Sequence, residues 1–194
     1  PFACDVRSTF VSRPIDFNRH ALVFAGAQKN FGPAGLTVVI VKKSLLGLAG
    51  ETCPTMLNYA VHAKAGSLYN TPPVFAIYMA CLVTRWLKKE GGVAEMDRRA
   101  RERSSLIYDV IDKSSGFYIN HIAPEARSRM NVVFHLAEDA LTDLFVKEAA
   151  DAGLVNLKGH RLAGGIRASM YNALPMEGAV ALANFMKVFA ARHG

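Results

Sequence analysis

The chain has 194 residues, 51% of them apolar, and a formal charge of +7. That length admits one large domain or two small ones, with enough apolar residues for a sizeable core. No apolar run reaches the roughly 20 residues of a membrane span and no secretory leader is visible, while Cys4, Cys53 and Cys81 lack metal or redox spacing and read as reduced thiols of a cytoplasmic protein.

Taken in chain order, residues 2–5 read as a strand end that delivers an acid, Asp5, into a loop. Two strongly apolar runs follow, 21–24 and 36–41. The gap between them, about a dozen residues, is too short for a crossover helix, so they are expected to pair antiparallel or to take non-adjacent places in one sheet. The gap itself reads Ala25-Gly26-Ala27-Gln28-Lys29-Asn30-Phe31-Gly32-Pro33-Ala34-Gly35 and sets one lysine in a glycine-flanked turn. A loop lysine is ordinarily a solvated charge. Held at a strand end and partly desolvated, it favours the neutral amine that condenses with an aldehyde.

Thr71-Pro72-Pro73 is expected to open a helix over 74–89, with Thr71 as N-cap, proline at the first helical position and basic residues in the last turn. Gly91-Gly92 stops it. A second long helix is expected over 93–112, with a domain hinge near its start, giving domains 1–92 and 93–194. Lys88-Lys89 and the arginines at 98, 99, 101 and 103 fall on helix ends or faces and read as solvated charge rather than a nucleic-acid stripe. Residues 130–136 are strand-like, and 138–152 helical with Gly153 behind them. Stretches 154–157 and 166–171 read as two strands joined by a glycine-rich turn, and Pro175 begins a last amphipathic helix ending near Arg192. This alternation predicts a compact α+β domain. His20, His62, His121, His135 and His193 form no ligand pattern, and Arg127 and Arg129 read as solvated or interdomain salt-bridging arginines.

The string around Lys29, with Asn70-Thr71-Pro72-Pro73, Gly91-Gly92-Val93-Ala94-Glu95-Met96-Asp97, Ser128-Arg129-Met130-Asn131-Val132, Lys158-Gly159-His160-Arg161 and Gly165-Ile166-Arg167-Ala168-Ser169, resembles the phosphoserine aminotransferase family. These are class-V, fold-type I pyridoxal-phosphate enzymes. The resemblance spans nearly the whole chain and sets it against the C-terminal half, or slightly more, of the family's polypeptide. It implies an α/β fold: part of the large domain's mixed sheet, followed by a small α+β domain. The apolar pair around Lys29 is similar to the antiparallel strand of that otherwise parallel sheet.

The resemblance also implies roles. Lys29 would hold pyridoxal 5'-phosphate and act as general base and acid in the proton shift. Asp5 would pair with the pyridine nitrogen, and Gln28, Asn70 and Thr71 would contact the phosphate, the last two at a helix start suited to anions. The family usually has two serines shortly after the acid, where this chain has Arg7-Ser8, an arginine that either pairs with Asp5 or points away. Arg167 would grip the substrate α-carboxylate, and His160 and Arg161 the substrate phosphate or the glutamate side chain.

The implied reaction moves an amino group between glutamate and 3-phosphohydroxypyruvate, giving O-phospho-L-serine and 2-oxoglutarate for serine biosynthesis, with a phosphorylated hydroxythreonine of pyridoxine biosynthesis as a second substrate in some organisms. Partners implied are a homodimer with shared active sites and the N-terminal half of the polypeptide. No metal, nucleic acid or membrane is called for. Two alternatives stay open: another class-V enzyme, such as an alanine–glyoxylate aminotransferase or a cysteine desulfurase, or a catalytically incomplete piece that exposes a sheet edge and binds cofactor poorly alone.

Overall fold

A computed structural model describes residues 2–194. The chain divides into two compact units, Pro1–Ala94 and Glu95–Gly194. No helix among the described residues is long and apolar enough to cross a membrane.

The first unit is built on a three-stranded mixed sheet of β1 (Ala3–Asp5), β2 (Leu22–Gly26) and β3 (Thr37–Val41), in that order. β1 and β2 run parallel, with Asp5 opposite Phe24. β2 and β3 form the antiparallel pair expected of two strands joined by a short connection, with Gly26 opposite Thr37. Val23 and Ala25 point from β2 into a small core with Val6, closed by Cys4, Phe10 and Ile15. After β3 come short 3-10 turns, a single short helix α1 (Tyr59–Lys64) capped by the Asn58 side chain, and then α2 (Val74–Lys89).

The start of α2 corrects the sequence expectation. The N-cap is Pro73 and makes no side-chain capping bond, while Thr71 lies two residues earlier, outside any helix or strand. The cause is the doubled proline: Pro73 disfavours helical geometry at Pro72, so the helix cannot begin until the second ring is passed. Gly91 and Gly92, both at positive φ (100° and 76°), turn the chain directly into α3 (Gly92–Asp112).

The second unit packs α3, α4 (Leu141–Asp151) and α5 (Met176–His193) with a three-stranded antiparallel sheet of β4 (Tyr118–Ile119), β5 (Asn131–Leu136) and β6 (Ile166–Ser169). Period-two alternation on β5 sends Val132, Phe134 and Leu136 into the core and leaves Asn131, Val133 and His135 on the other face. Tyr118, Phe134, Phe145 and Phe189 form a buried chain of edge-to-face rings with centroids 5.0 to 6.1 Å apart. The buried Arg103 on α3 donates to the Leu174 carbonyl (2.7 Å), tying that helix to the connection before α5.

Four sequence expectations shift here. Arg103, read as solvated charge, is instead buried, its guanidinium held by the Leu174 carbonyl. Residues 154–157 are not a strand: Asn156 sits in the left-handed region (φ 63°), which ends any extended run, and only Lys158 bridges to Ile166. Helix α4 begins at Leu141 because the Glu138 and Asp139 carbonyls are taken by the i+3 amides of Leu141 and Thr142, a turn rather than a helix. Arg127 and Arg129 are neither free nor between units. Arg127 makes a two-pronged pair with Asp112 (2.6 and 2.7 Å) and lies 4.7 Å over the Tyr108 ring, and Arg129 pairs with Asp97, all on α3.

Candidate active site

Two parallel strands place their C-terminal ends on one sheet edge, and in the first unit that edge gathers the candidate groups. Asp5 is the last residue of β1, and the turn carrying Lys29 leaves the end of β2. That turn is closed by its own backbone: Ala27 N–H donates to Leu36 O (2.9 Å), and Phe31 and Gly32 N–H both return to Ala27 O (3.1 and 2.8 Å). Below it, the chain after β1 folds back through Thr9 and Phe10 N–H bonds to Val6 O.

The two turns are locked together. Lys29 Nζ donates to the Ser8 hydroxyl (2.7 Å), Asn30 Nδ2 donates to the Ser8 carbonyl (2.9 Å), and the Phe10 and Phe31 rings meet edge to face at 5.3 Å. Gly32 also lies against α2: a Cβ there would stand 3.4 Å from Ala80 Cα. Lys29 is thus half-buried and donates to a neutral oxygen, on the same sheet edge as Asp5.

The pairing of Arg7 with Asp5 is settled by geometry. Arg7 Nε lies 3.0 and 2.8 Å from the two carboxylate oxygens, Nη2 2.6 Å from Oδ2, and the Arg7 backbone N–H 3.0 Å from Oδ1. The Arg7 guanidinium beside it holds the Asp5 carboxyl below the usual carboxylate range, and the positive charge of Lys29 adds in the same direction. Gln28 is exposed, and its side-chain oxygen folds over Gly26 into the space a Cβ would fill, with Arg7 Cδ at 3.5 Å from the same point. A side chain at 26 would therefore displace the Gln28 amide. Asn70 and Thr71 are exposed in the segment before α2, joined by an Asn70 Nδ2 bond to Thr71 O (3.3 Å).

In the second unit, the turn from Lys158 to Ile166 is shaped by its glycines. Gly159 N–H donates to Gly165 O (2.8 Å), and Gly164 and Ala163 N–H both go to His160 O (2.8 and 2.9 Å). Gly164 and Gly165 adopt φ of 66° and 62°, and a Cβ on Gly165 would meet Phe134 O at 2.7 Å and the His135 ring at 2.8 Å. His160 and Arg161 project from this turn, exposed. His160 Nδ1 accepts the Leu162 N–H (3.3 Å), so the neutral ring carries its proton on Nε2 and offers a donor outward. Arg167 stands on β6 opposite Val133, half-buried, and its Nε is buried with no hydrogen-bond partner among the described residues. An orphaned guanidinium donor suits a carboxylate ligand.

Asp5, Gln28 and Lys29 therefore share the sheet edge of the first unit, whose Asn70 and Thr71 precede α2, and His160, Arg161 and Arg167 share one turn and strand of the second. Sequence reasoning missed Ser8 as the partner of Lys29. Its only signal is position, directly after the acid's loop begins, and the contact joins residues 21 apart.

The aminotransferase class-V family profile matches residues 1–182. The chain is 56% identical over its full length to a phosphoserine aminotransferase of Laribacter hongkongensis (strain HLHK9), covering 54% of that protein. Among solved structures, the phosphoserine aminotransferase from Bacillus circulans subsp. alkalophilus superposes with a TM-score of 0.94 at 47% identity, over 100% of this chain and 54% of that one. The PLP-bound phosphoserine aminotransferase from Trichomonas vaginalis gives 0.90 at 41% identity, over 96% and 53%. The chain spans about half the length of the curated relatives it matches.

Proposed function

This chain belongs to the class-V aminotransferase family, and we propose that it supplies the lysine-bearing edge and the substrate-anion turn of a phosphoserine aminotransferase. The reaction exchanges the amino group of glutamate for the keto oxygen of 3-phosphohydroxypyruvate. The observation that carries the reading is the meeting of a half-buried amine and a carboxylate, Lys29 and Asp5, at the C-terminal ends of two parallel strands.

The cofactor of this reading is pyridoxal 5'-phosphate, which when bound supplies an electron sink for charge developing at the substrate Cα. The residues present fit it. Lys29 offers the amine, with Ser8 orienting Nζ. Asp5 stays ionised through its cationic neighbours and is the anion for a ring nitrogen. Gln28, Asn70 and Thr71 offer amide and hydroxyl donors for a phosphate. Once released, Lys29 Nζ is the base that moves the substrate Cα proton. Arg167 takes the α-carboxylate that phosphoserine and glutamate share, as its orphaned Nε supports. His160 and Arg161 take the second anion, phosphate or carboxylate, in either half-reaction.

The same reading assigns a homodimer. Val74, Phe75 and Tyr78 at the start of α2 are 66, 71 and 58% exposed, beside the equally exposed Asn70 and Thr71. A second copy covering that face would bury apolar surface and bring the candidate phosphate donors to a neighbour's site. Light scattering on the full-length protein is expected to give twice the chain mass. The reading further places the enzyme in the cytoplasm, in serine biosynthesis, with a phosphorylated hydroxythreonine of pyridoxine biosynthesis as a second substrate, and with an N-terminal segment completing the cofactor pocket.

Borohydride reduction followed by peptide mass mapping tests the cofactor: a reduced pyridoxyl adduct on Lys29 is expected. Glutamate and phosphoserine should serve as amino donors, whereas alanine and cysteine should not. A colourless protein with no adduct at Lys29 removes the reading, and turnover of alanine in place of phosphoserine transfers it to another class-V activity.

A further inference from the structure

We propose that Arg7 is an internal counter-cation of Asp5 that competes with the ring nitrogen of the cofactor for that carboxylate. The inference rests on the reading of Asp5 and Lys29 given above. A carboxylate has two oxygens and about four acceptor positions. Three Arg7 N–H donors crowd both oxygens: Nε, sharing its one hydrogen, lies 3.0 and 2.8 Å from them, Nη2 lies 2.6 Å from Oδ2, and the backbone N–H lies 3.0 Å from Oδ1. A pyridinium N–H needs one of those same oxygens in line with its ring, so the two cations compete for one carboxylate.

Three observations favour displacement over a permanent lock. The pair is open to water, with side-chain exposures of 48% for Arg7 and 35% for Asp5. Exposed pairs are weak, so a guanidinium that loses this partner is re-solvated at little cost. The Arg7 backbone N–H bond to Oδ1 is independent of the side chain and keeps Asp5 oriented after the guanidinium leaves. Gly26 leaves the Arg7 stem unpinned, since Cδ lies 3.5 Å from where a Cβ would stand, an ordinary contact distance, so the released head can swing aside.

The other charged group of this edge, Lys29, donates to the Ser8 hydroxyl and adds to the positive field at Asp5. Arg7 thus keeps an ionised Asp5 paired before loading and sets a threshold that only a ligand with a protonated ring nitrogen repays.

The test uses the full-length apoprotein and pyridoxine 5'-phosphate, which has the ring nitrogen and phosphate but no aldehyde, so binding is read without covalent capture. Its 1-deaza analogue, with carbon in place of that nitrogen, is the control. Arg7→Ser is expected to bind pyridoxine 5'-phosphate about two- to fivefold more tightly, the range of an exposed ion pair, with affinity for the deaza analogue unchanged. Arg7→Lys, which keeps the charge but not the fork, should fall between wild type and Arg7→Ser. Equal or weaker binding by Arg7→Ser, or an equal gain for the deaza analogue, overturns the proposal while a borohydride adduct at Lys29 leaves the functional reading standing. Absence of both ligand binding and adduct in wild type and variants alike overturns the functional reading and this inference with it.

Discussion

The two units solve different problems with similar amounts of chain. The second closes a continuous core: Tyr118, Phe134, Phe145, Phe189 and Met186 are all at most 2% exposed and interlock across sheet and helices. The first buries only Val6, Val23 and Ala25 in its sheet core, and sends Leu48, Leu57, Leu68, Val74 and Phe75 outward at 64% exposure or more. Its two turns meet through polar contacts, Lys29 and Asn30 on Ser8, with Arg7 on Asp5 beside them. On the proposed function, the first region presents the Lys29 amine and the second, held by packed rings, keeps the proposed substrate turn rigid. The contrast predicts that substitutions in the first unit act mainly on chemistry and those in the second mainly on stability.

The sharpest way to break that contrast is Lys29→Ala. Loss of the amine removes both the covalent anchor and the proton carrier, so turnover in the full-length enzyme should fall by about a thousandfold or more, and the borohydride adduct should vanish. The midpoint of denaturant unfolding should not move. A variant that unfolds at markedly lower denaturant would show that the amine also holds structure.

Next in size is Phe145→Ala in the second unit. Phe145 is 0% exposed and touches Tyr118, Phe134, Phe185 and Phe189 edge to face. Truncating such a ring costs about 3–5 kcal/mol, read as a lower denaturation midpoint. Cofactor capture at Lys29 should persist wherever the protein remains folded.

Arg167→Ala tests the intermediate case, a ligand-binding group on the rigid unit. Removing one charged partner of a carboxylate costs about 1.5–3 kcal/mol, or about ten- to a hundredfold in kcat/KM for both amino donors. Stability should barely change, because the orphaned Nε makes no bond in the folded chain. Discrimination between phosphoserine and glutamate should also be unchanged, since both carry the α-carboxylate.

Much of this was legible in the sequence because punctuation and chemistry coincide. Gly26 and Gly32 bracket Lys29, and two short apolar runs with no room for a crossover force the antiparallel β2–β3 pair. The resemblance of the motifs to the phosphoserine aminotransferase family supplied the candidate residues, and the geometry then grouped Asp5 with Lys29 and His160 with Arg167. What stayed hidden depends on long-range partners. Ser8 meets Lys29 across 21 residues and Arg103 meets Leu174 across 71, and no local pattern announces either contact. Tyr118–Ile119 is too short to show alternation, yet it completes a sheet because β5 offers it an edge. Residues 154–157 carry strand-like composition, but one left-handed residue, Asn156, overrides it.

The smallest effect concerns the arginine-rich start of α3, where the packed unit also uses charge. Glu95 accepts from Arg98 (2.8 and 2.7 Å) and from Arg99 (2.8 Å), and these bonds hold its carboxyl down to about 2 from an ordinary 4.5. In unfolded chain the group returns to its ordinary value. Between those two values the unfolded state binds more protons, so stability rises with pH there. The contribution is complete above about 4.5 and is lost as pH falls toward 2. Glu95→Gln, which cannot titrate, should reduce proton uptake on unfolding in that window by close to one proton, measured as a shallower dependence of the denaturation midpoint on pH between about 4.5 and 2. The pair sits on the helix surface, so salt should shrink the difference between wild type and variant. An unaltered slope would mean that the arginines do not hold Glu95 in solution.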